Sequence, residues 1–134
     1  MIRSPRWFPG LEHYCERADF VFHLAGVNRP VDPDEFMRGN FGFTSELLAY
    51  LKKYENKAAI MLSSSIQATL SGRFGDSVYG RSKLAGEQLL LDYGKETGAK
   101  IAVYRFLNLM GHSRPKYNSA VATFCWAVAN DEPY

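Results

Sequence analysis

The chain has 134 residues, enough for one domain with its own core and too few for a second. Its net charge of +2 comes from interspersed acidic and basic residues, which argues against a nucleic-acid footprint or a membrane-surface patch. Cys15 and Cys125 are too few and too far apart for a disulfide framework or a zinc cluster; no stretch approaches a membrane span, and the N-terminus lacks the apolar segment of a secretory signal. These features predict a soluble protein of the reducing cytoplasm with no metal, nucleic-acid partner or membrane partner.

Residues 19–26, DFVFHLAG, form a short apolar run ending in small residues, the pattern of a parallel strand buried on both faces. Residues 28–34 carry two prolines and two aspartates and read as a loop. A helix follows, with Phe36, Phe43, Leu47, Leu48 and Leu51 near helical spacing and Gly39 and Gly42 weakening its start. Residues 57–65, KAAIMLSSS, are a second buried strand whose end is rich in hydroxyls. Residues 66–77 contain Gly72 and Gly75 and read as a loop. The next helix draws apolar surface from Leu84, Leu89, Leu90, Leu91 and Tyr93, and Thr97-Gly98 stops it. Residues 100–107, KIAVYRFL, are a third strand, and residues 108–118, with Gly111 and Pro115, a loop. Asn118 or Ser119 then caps a last helix whose Phe124 and Trp126 belong to the core.

This alternation predicts an α/β fold, a parallel sheet of three strands with flanking helices, within a single domain over residues 1–134. Ligands of such open sheets bind beyond the carboxyl ends of the strands, where Gly26, Ser65 and Asn108 fall. Tyr79 and Lys83 are four apart and share one face of the predicted helix. A phenol ionises near pH 10, and a neighbouring ammonium favours the phenolate, so this spacing suits proton transfer. Ser65, the outermost of the three serines, could orient a carbonyl or alcohol oxygen beside it. His23, inside the first strand, reads as a satisfied core histidine with no chemistry, and His112 has no evident partner. Leu24, Ala25 and Gly26 allow a flat group or a ribose to approach the backbone, or simply make a tight turn. Asn40 is either exposed or bridges backbone groups near the site. Arg114 and Lys116 suit a diphosphate or a solvated basic loop equally.

With HLAG at residues 23–26, Asn40, the triple-serine strand end, the YxxxK of Tyr79 and Lys83, and RFLN at residues 105–108, the chain resembles the extended short-chain dehydrogenase/reductase superfamily of nucleotide-sugar epimerases, dehydratases and reductases. FHLAGVNRP, SKLAGEQLL and residues 114–133 are similar to the reductase domain of the bifunctional capsular-polysaccharide enzymes that make UDP-N-acetyl-L-fucosamine. The resemblance covers about residues 18–134. It implies an NAD(P)-binding Rossmann-type domain that reduces C4 of a UDP-4-keto-6-deoxy-hexosamine with NADP or NAD. Tyr79 would be the general acid, Lys83 would lower its pKa and bind the nicotinamide ribose, and Ser65 would hydrogen-bond the ketone. Leu24, Ala25, Gly26 and Asn40 would serve the cofactor, Asn40 also supporting a proton relay. Asn28, Asn108, Arg114, Tyr117 and Asn118 would face the UDP-sugar. A homodimer is implied for the complete family domain.

Two departures accompany the resemblance. The glycine-rich phosphate loop that follows the first strand of the family sheet has no counterpart, because only Gly10 lies upstream of Asp19. Residue 134 also precedes the end of the family's reductase domain. The chain therefore reads as a fragment lacking the first βαβ half, with an unprotected edge at its first strand and one bare sheet face prone to self-association. A non-catalytic remnant that binds a nucleotide or a partner is the alternative to an active core. A dehydratase is disfavoured because Ser65-Ile66-Gln67 lacks an acidic pair.

Overall fold

The three apolar runs pair as a parallel sheet in the order β1-β2-β3, the α/β arrangement expected from their alternation with helices. The computed structural model describes residues 10–28, 30–109 and 119–133. Strand β1 (Phe20–His23) pairs with β2 (Ala59–Ser65) from Phe20↔Ala59 to His23↔Leu62, and β2 pairs with β3 (Ile101–Phe106) from Ile60↔Ile101 to Ser65↔Phe106. Strand β2 thus runs three residues past the end of β1. That overhang carries the three serines.

Alternation along β2 sorts its side chains onto two faces. Ile60, Leu62 and Ser64 are buried, whereas Ala59, Met61, Ser63 and Ser65 are half-buried on the other side. Helices cover the first face. The chain enters with α1 (Leu11–Arg17), crosses β1, and continues through a short α2 (Asp34–Phe36) and a π-helical turn (Met37–Gly42) into α3 (Phe43–Lys53). Helix α4 (Val78–Thr97) follows β2, and α5 (Ala120–Ala129) follows β3. Cys15, Leu47, Leu48, Leu51, Ile60, Leu62, Leu90, Tyr93 and Ala99 form the core between α1, α3, α4 and the covered face. Asn56 ties this layer together by donating to the carbonyls of Cys15 and Ala18 and accepting from the Ala58 amide, while Tyr93 donates to its carbonyl.

The strands were expected to be buried on both faces, and here the described residues cover only one face. Phe20, Phe22 and Tyr104 lie on the open face, Phe22 with 69% of its surface exposed. Helix α5 corrects a second expectation. Among its described residues Ala127 is buried, but Phe124, read as core, is half exposed. Both cysteines are free, and no described helix is long and apolar enough to cross a membrane.

Candidate active site

The site assembles where β2 outruns β1. A parallel strand directs the N–H and C=O of one residue to the same side, and Ile60 N–H bonds the Lys100 carbonyl on the β3 side. The carbonyl of Ser63, odd in the same count, therefore points toward β1, which has already ended. Lys83 Nζ occupies that vacant side and donates to Ser63 O at 2.8 Å. Lys83 is only 6% exposed, so a hydrogen-bonded acceptor is what makes burial of its ammonium tolerable.

Helix α4 begins at a cap that also fixes the serine end of β2. Ser77 Oγ accepts from Gly80 N at 2.9 Å and donates to Gln67 Oε1 at 2.7 Å, while Gln67 N donates to Ser65 Oγ at 3.2 Å. Because Ser65 Oγ already accepts from Gln67, its single proton is left to donate toward the cleft. The 3₁₀ turn Ile66–Thr69 lies so close to α4 that a Cβ on Gly80 would sit 2.3 Å from Gln67 O. Glycine at that position lets Ser65 and Tyr79 approach each other from two different elements.

Asn40 sits in the π-helical turn and is buried, which settles its two alternatives in favour of the bridge. Its Oδ1 accepts from Val27 N at 2.9 Å, and its Nδ2 donates to Val27 O at 3.2 Å and to Ser82 Oγ at 2.9 Å. Ser82 in turn donates to the Tyr79 carbonyl. The loop after β1 is thereby held against α4. Beneath it, Thr44 gives its hydroxyl proton to Asn40 O, so His23 Nε2 is the donor of the 2.8 Å contact to Thr44 Oγ1. His23 is 3% exposed and neutral: burial, then the nearby Lys83 charge, lower its pKa to about 4. It lies in the core as expected from its place in the strand, but it is satisfied at Nε2 only: Nδ1 is buried with no hydrogen-bond partner among the described residues.

These elements enclose a cleft of about 580 Å³ lined by Ser63, Ser64, Ser65, Gln67, Tyr79 and Lys83 on one side and by Leu24, Gly26, Val27 and Asn28 on another. Phe106 to Leu109, including Asn108, and Ser119 to Val121 complete it. Ala25 is not on this lining; it borders a void of about 10 Å³ beneath it, with His23 and Asn40. Arg114, Tyr117 and Asn118 lie outside the described residues. Val27, Gln67 and the apolar wall of Phe106, Leu107 and Leu109 were not foreseen as lining. Gln67 could have been: a strand-end serine commonly accepts from the backbone N–H two residues on, which holds Gln67 beside Ser65.

Electrostatically the pair differs from its sequence reading. Burial raises the Tyr79 phenol above its ordinary value, and the Ser65 hydroxyl pulls it back down. The ammonium, tied to Ser63 O, is not the dominant influence on the phenol in this structure. Burial lowers the Lys83 pKa, and the Glu87 carboxylate opposes that change. The described residues include no cluster of His, Cys, Asp and Glu able to hold a metal ion. A nicotinamide ribose fits this set of donors. Tyr79 and Lys83 offer hydroxyl and ammonium groups on one cleft, and Gly26 approaches so closely that a Cβ there would lie 2.9 Å from Asn40 Oδ1 and 3.4 Å from Lys83 Nζ.

Residues 10–132 match the model of the NAD dependent epimerase/dehydratase family. The chain is 43% identical over 124 residues to a UDP-2-acetamido-2,6-beta-L-arabino-hexul-4-ose reductase of Pseudomonas aeruginosa, covering 92% of this chain and 32% of that protein. It is also 43% identical to the capsular polysaccharide assembling protein CapF of Staphylococcus aureus, with a TM-score of 0.75 over 99% of this chain and 35% of that one. The structure of RMD from Pseudomonas aeruginosa complexed with NADPH, 23% identical, has a TM-score of 0.76 over 97% of this chain and 52% of its own, a likeness of fold alone. The chain thus spans about a third of the length of the two more similar proteins. The chain belongs to the NAD dependent epimerase/dehydratase family.

Proposed function

We propose that the chain is the catalytic core of an NAD(P)-dependent nucleotide-sugar reductase acting on a UDP-4-keto-6-deoxy-hexosamine in the synthesis of capsule or surface-polysaccharide precursors. The observation that carries this reading is the convergence of Ser65, Tyr79 and Lys83 on one cleft at the carboxyl end of β2. When bound, NADPH or NADH supplies the hydride that C4 of the sugar accepts. Tyr79 gives its phenolic proton to the C4 oxygen, so that the ketone becomes an alcohol, and solvent restores that proton. Ser65 turns its O–H from the phenol to the same oxygen and fixes the carbonyl plane. Lys83 holds the ribose hydroxyls and offsets the charge left on Tyr79. The raised phenol pKa favours the protonated form that a general acid requires at neutral pH. Gly26 and Leu24 border the cofactor side, Asn28 and Asn108 the sugar side, with Arg114, Tyr117 and Asn118 as candidates for the diphosphate and sugar.

Support for this substrate class comes from the reductase name and capsular role of the two proteins at 43% identity. The cytoplasm, where nucleotide sugars are made, is the proposed location, and a homodimer the proposed assembly. The test is NADPH or NADH consumption with a UDP-4-keto-6-deoxy-hexosamine. Turnover that persists in Tyr79→Phe rejects the assigned acid.

A second reading, a protein that binds a nucleotide or a partner without catalysis, is favoured by the open face bearing Phe20, Phe22 and Tyr104. Cofactor titration beside a turnover assay separates the two. Self-associated protein that leaves NADPH unconsumed, whether or not it binds it, favours the second reading, and consumption with the sugar substrate the first.

A further inference from the structure

On the covered face of the sheet, directly behind the serine end of β2, lies an ion pair that the reaction above does not use. Glu87 is 3% exposed and stands one helical turn beyond Lys83, so Tyr79, Lys83 and Glu87 occupy successive turns of one side of α4. Its Oε1 accepts from Ser64 Oγ and from Arg105 Nε at 3.0 Å, and its Oε2 accepts from Arg105 Nη2 at 2.6 Å. Three elements therefore meet at one carboxylate: α4, the end of β2 and the end of β3.

A buried carboxylate is expensive to desolvate, and a buried ion pair is often worth little net stability, which leaves room for a role of Glu87 in the site beside it. The geometry supplies one. Ser64 and Ser63 share a peptide unit whose carbonyl, on Ser63, is the acceptor of Lys83. Anchoring the Ser64 side chain fixes the strand end on which that carbonyl is carried, and β1 no longer does so because its pairing stops at Leu62. The same carboxylate brings the negative charge nearest to Lys83 along the helix.

We propose that Glu87 is a positioning residue for Lys83. Through Ser64 it holds the Ser63 carbonyl that aims the ammonium into the cleft, and through its charge it keeps that ammonium protonated while buried. Arg105 modulates the second effect by neutralising part of the Glu87 charge from β3. The assignment rests on the reading of Lys83 as a cofactor and catalytic residue. The ionisable groups facing Lys83 are His23 on β1, neutral near pH 7, Tyr79 and Glu87 on α4, and Arg105 on β3 behind Glu87; the π-helical turn contributes the uncharged Asn40. Burial disfavours the Lys83 charge and Glu87 opposes that effect, in the sense the geometry requires.

The test is competitive labelling of the whole chain with trace acetic anhydride across a pH series, read at each lysine by mass spectrometry, with the exposed Lys95 as internal reference. Only the unprotonated amine reacts. Glu87→Gln keeps the shape and removes the charge, so Lys83 labelling relative to Lys95 at pH 8 should rise several-fold. Arg105→Gln leaves the carboxylate less neutralised, and Lys83 labelling should fall below wild type. Opposite directions are the signature of charge, because loosening of the site would raise labelling in both variants. Unchanged labelling in folded Glu87→Gln, or a rise in both, overturns the proposal. If Glu87→Gln fails to fold, the direction in Arg105→Gln decides. Loss of the reductase reading through Tyr79→Phe leaves these ratios unaffected, so the two failures are distinguishable.

Discussion

Two glycines of α4 make opposite predictions for the same substitution. Replacing glycine by alanine within a helix stabilises by roughly 1 kcal/mol through propensity, somewhat less in the first turn. At Gly86 the new Cβ would meet only Asn40 O at 3.6 Å and Thr44 Oγ1 at 3.7 Å, ordinary contacts, so Gly86→Ala should stabilise by roughly 0.5–1 kcal/mol. At Gly80 it would lie 2.3 Å from Gln67 O and 2.9 Å from Gln67 C, backbone atoms held by the Ser77 and Ser65 hydrogen bonds. Overpacking against atoms that cannot rotate away costs about 1–3 kcal/mol, so Gly80→Ala should be destabilised by roughly 1–2 kcal/mol. Urea unfolding of the wild type and both variants gives the differences, and thermal midpoints should separate by roughly 3–5 °C per kcal/mol for a chain of this size. Gly80→Ala should also lower turnover, since the displaced turn carries Ser65 away from Tyr79. Movement of both variants in the same direction would refute the close approach between α4 and the 3₁₀ turn.

The neutral, buried His23 makes stability depend on pH. Its pKa falls from 6.5 to about 4 on folding, so the unfolded chain takes up the proton first; its contribution, complete above pH 6.5, drains away as pH drops toward 4 and amounts to about 3 kcal/mol. Urea unfolding of wild type and His23→Gln between pH 4 and 7.5 should show that the variant has lost this part of the slope. At the ion pair behind the site, Arg105→Met leaves the Glu87 carboxylate with Ser64 alone and should cost roughly 2–3 kcal/mol in urea unfolding, whereas Glu87→Leu with Arg105→Met should recover most of it. On the open face, Phe22→Lys removes an exposed ring without touching the core, so sedimentation should show less self-association at an unchanged unfolding midpoint.

The strands were legible because each is a short apolar run closed by polar or small residues, and the register needed only parallel pairing to bring residue 26 and the serines to one end. Tyr79, Lys83 and Ser65 were legible for the same reason, being placed by helix period and strand end. What the sequence concealed depends on contacts across elements. Helix α1 is held by Cys15 against Leu47 and by Asn56 on its exit, partners 32 and 41 residues away. The π-helical turn was read as a weakened helix start, yet Gly39 is there because Val27 packs on it, with Cγ2 2.2 Å from where a Cβ would stand. That turn aims Asn40 inward. The alternation of Ser63, Ser64 and Ser65 carries its own lesson. Period two sends Ser64 to the covered face and Glu87, while Ser63 and Ser65 stay on the other, so three identical residues acquire different partners. Phe124 was misread because a helix rich in apolar residues suggests burial, whereas half of its surface is exposed.

Tyr79 is the proton donor in the reduction proposed at the β2 end. The most direct measurement is NADPH or NADH consumption with a UDP-4-keto-6-deoxy-hexosamine, in wild type and Tyr79→Phe, with cofactor affinity titrated in parallel. Loss of a general acid predicts a fall in turnover of roughly 10²–10⁴-fold while cofactor affinity stays within a few-fold. Wild-type turnover in Tyr79→Phe, or tight cofactor binding by the wild type with no consumption at all, would contradict it.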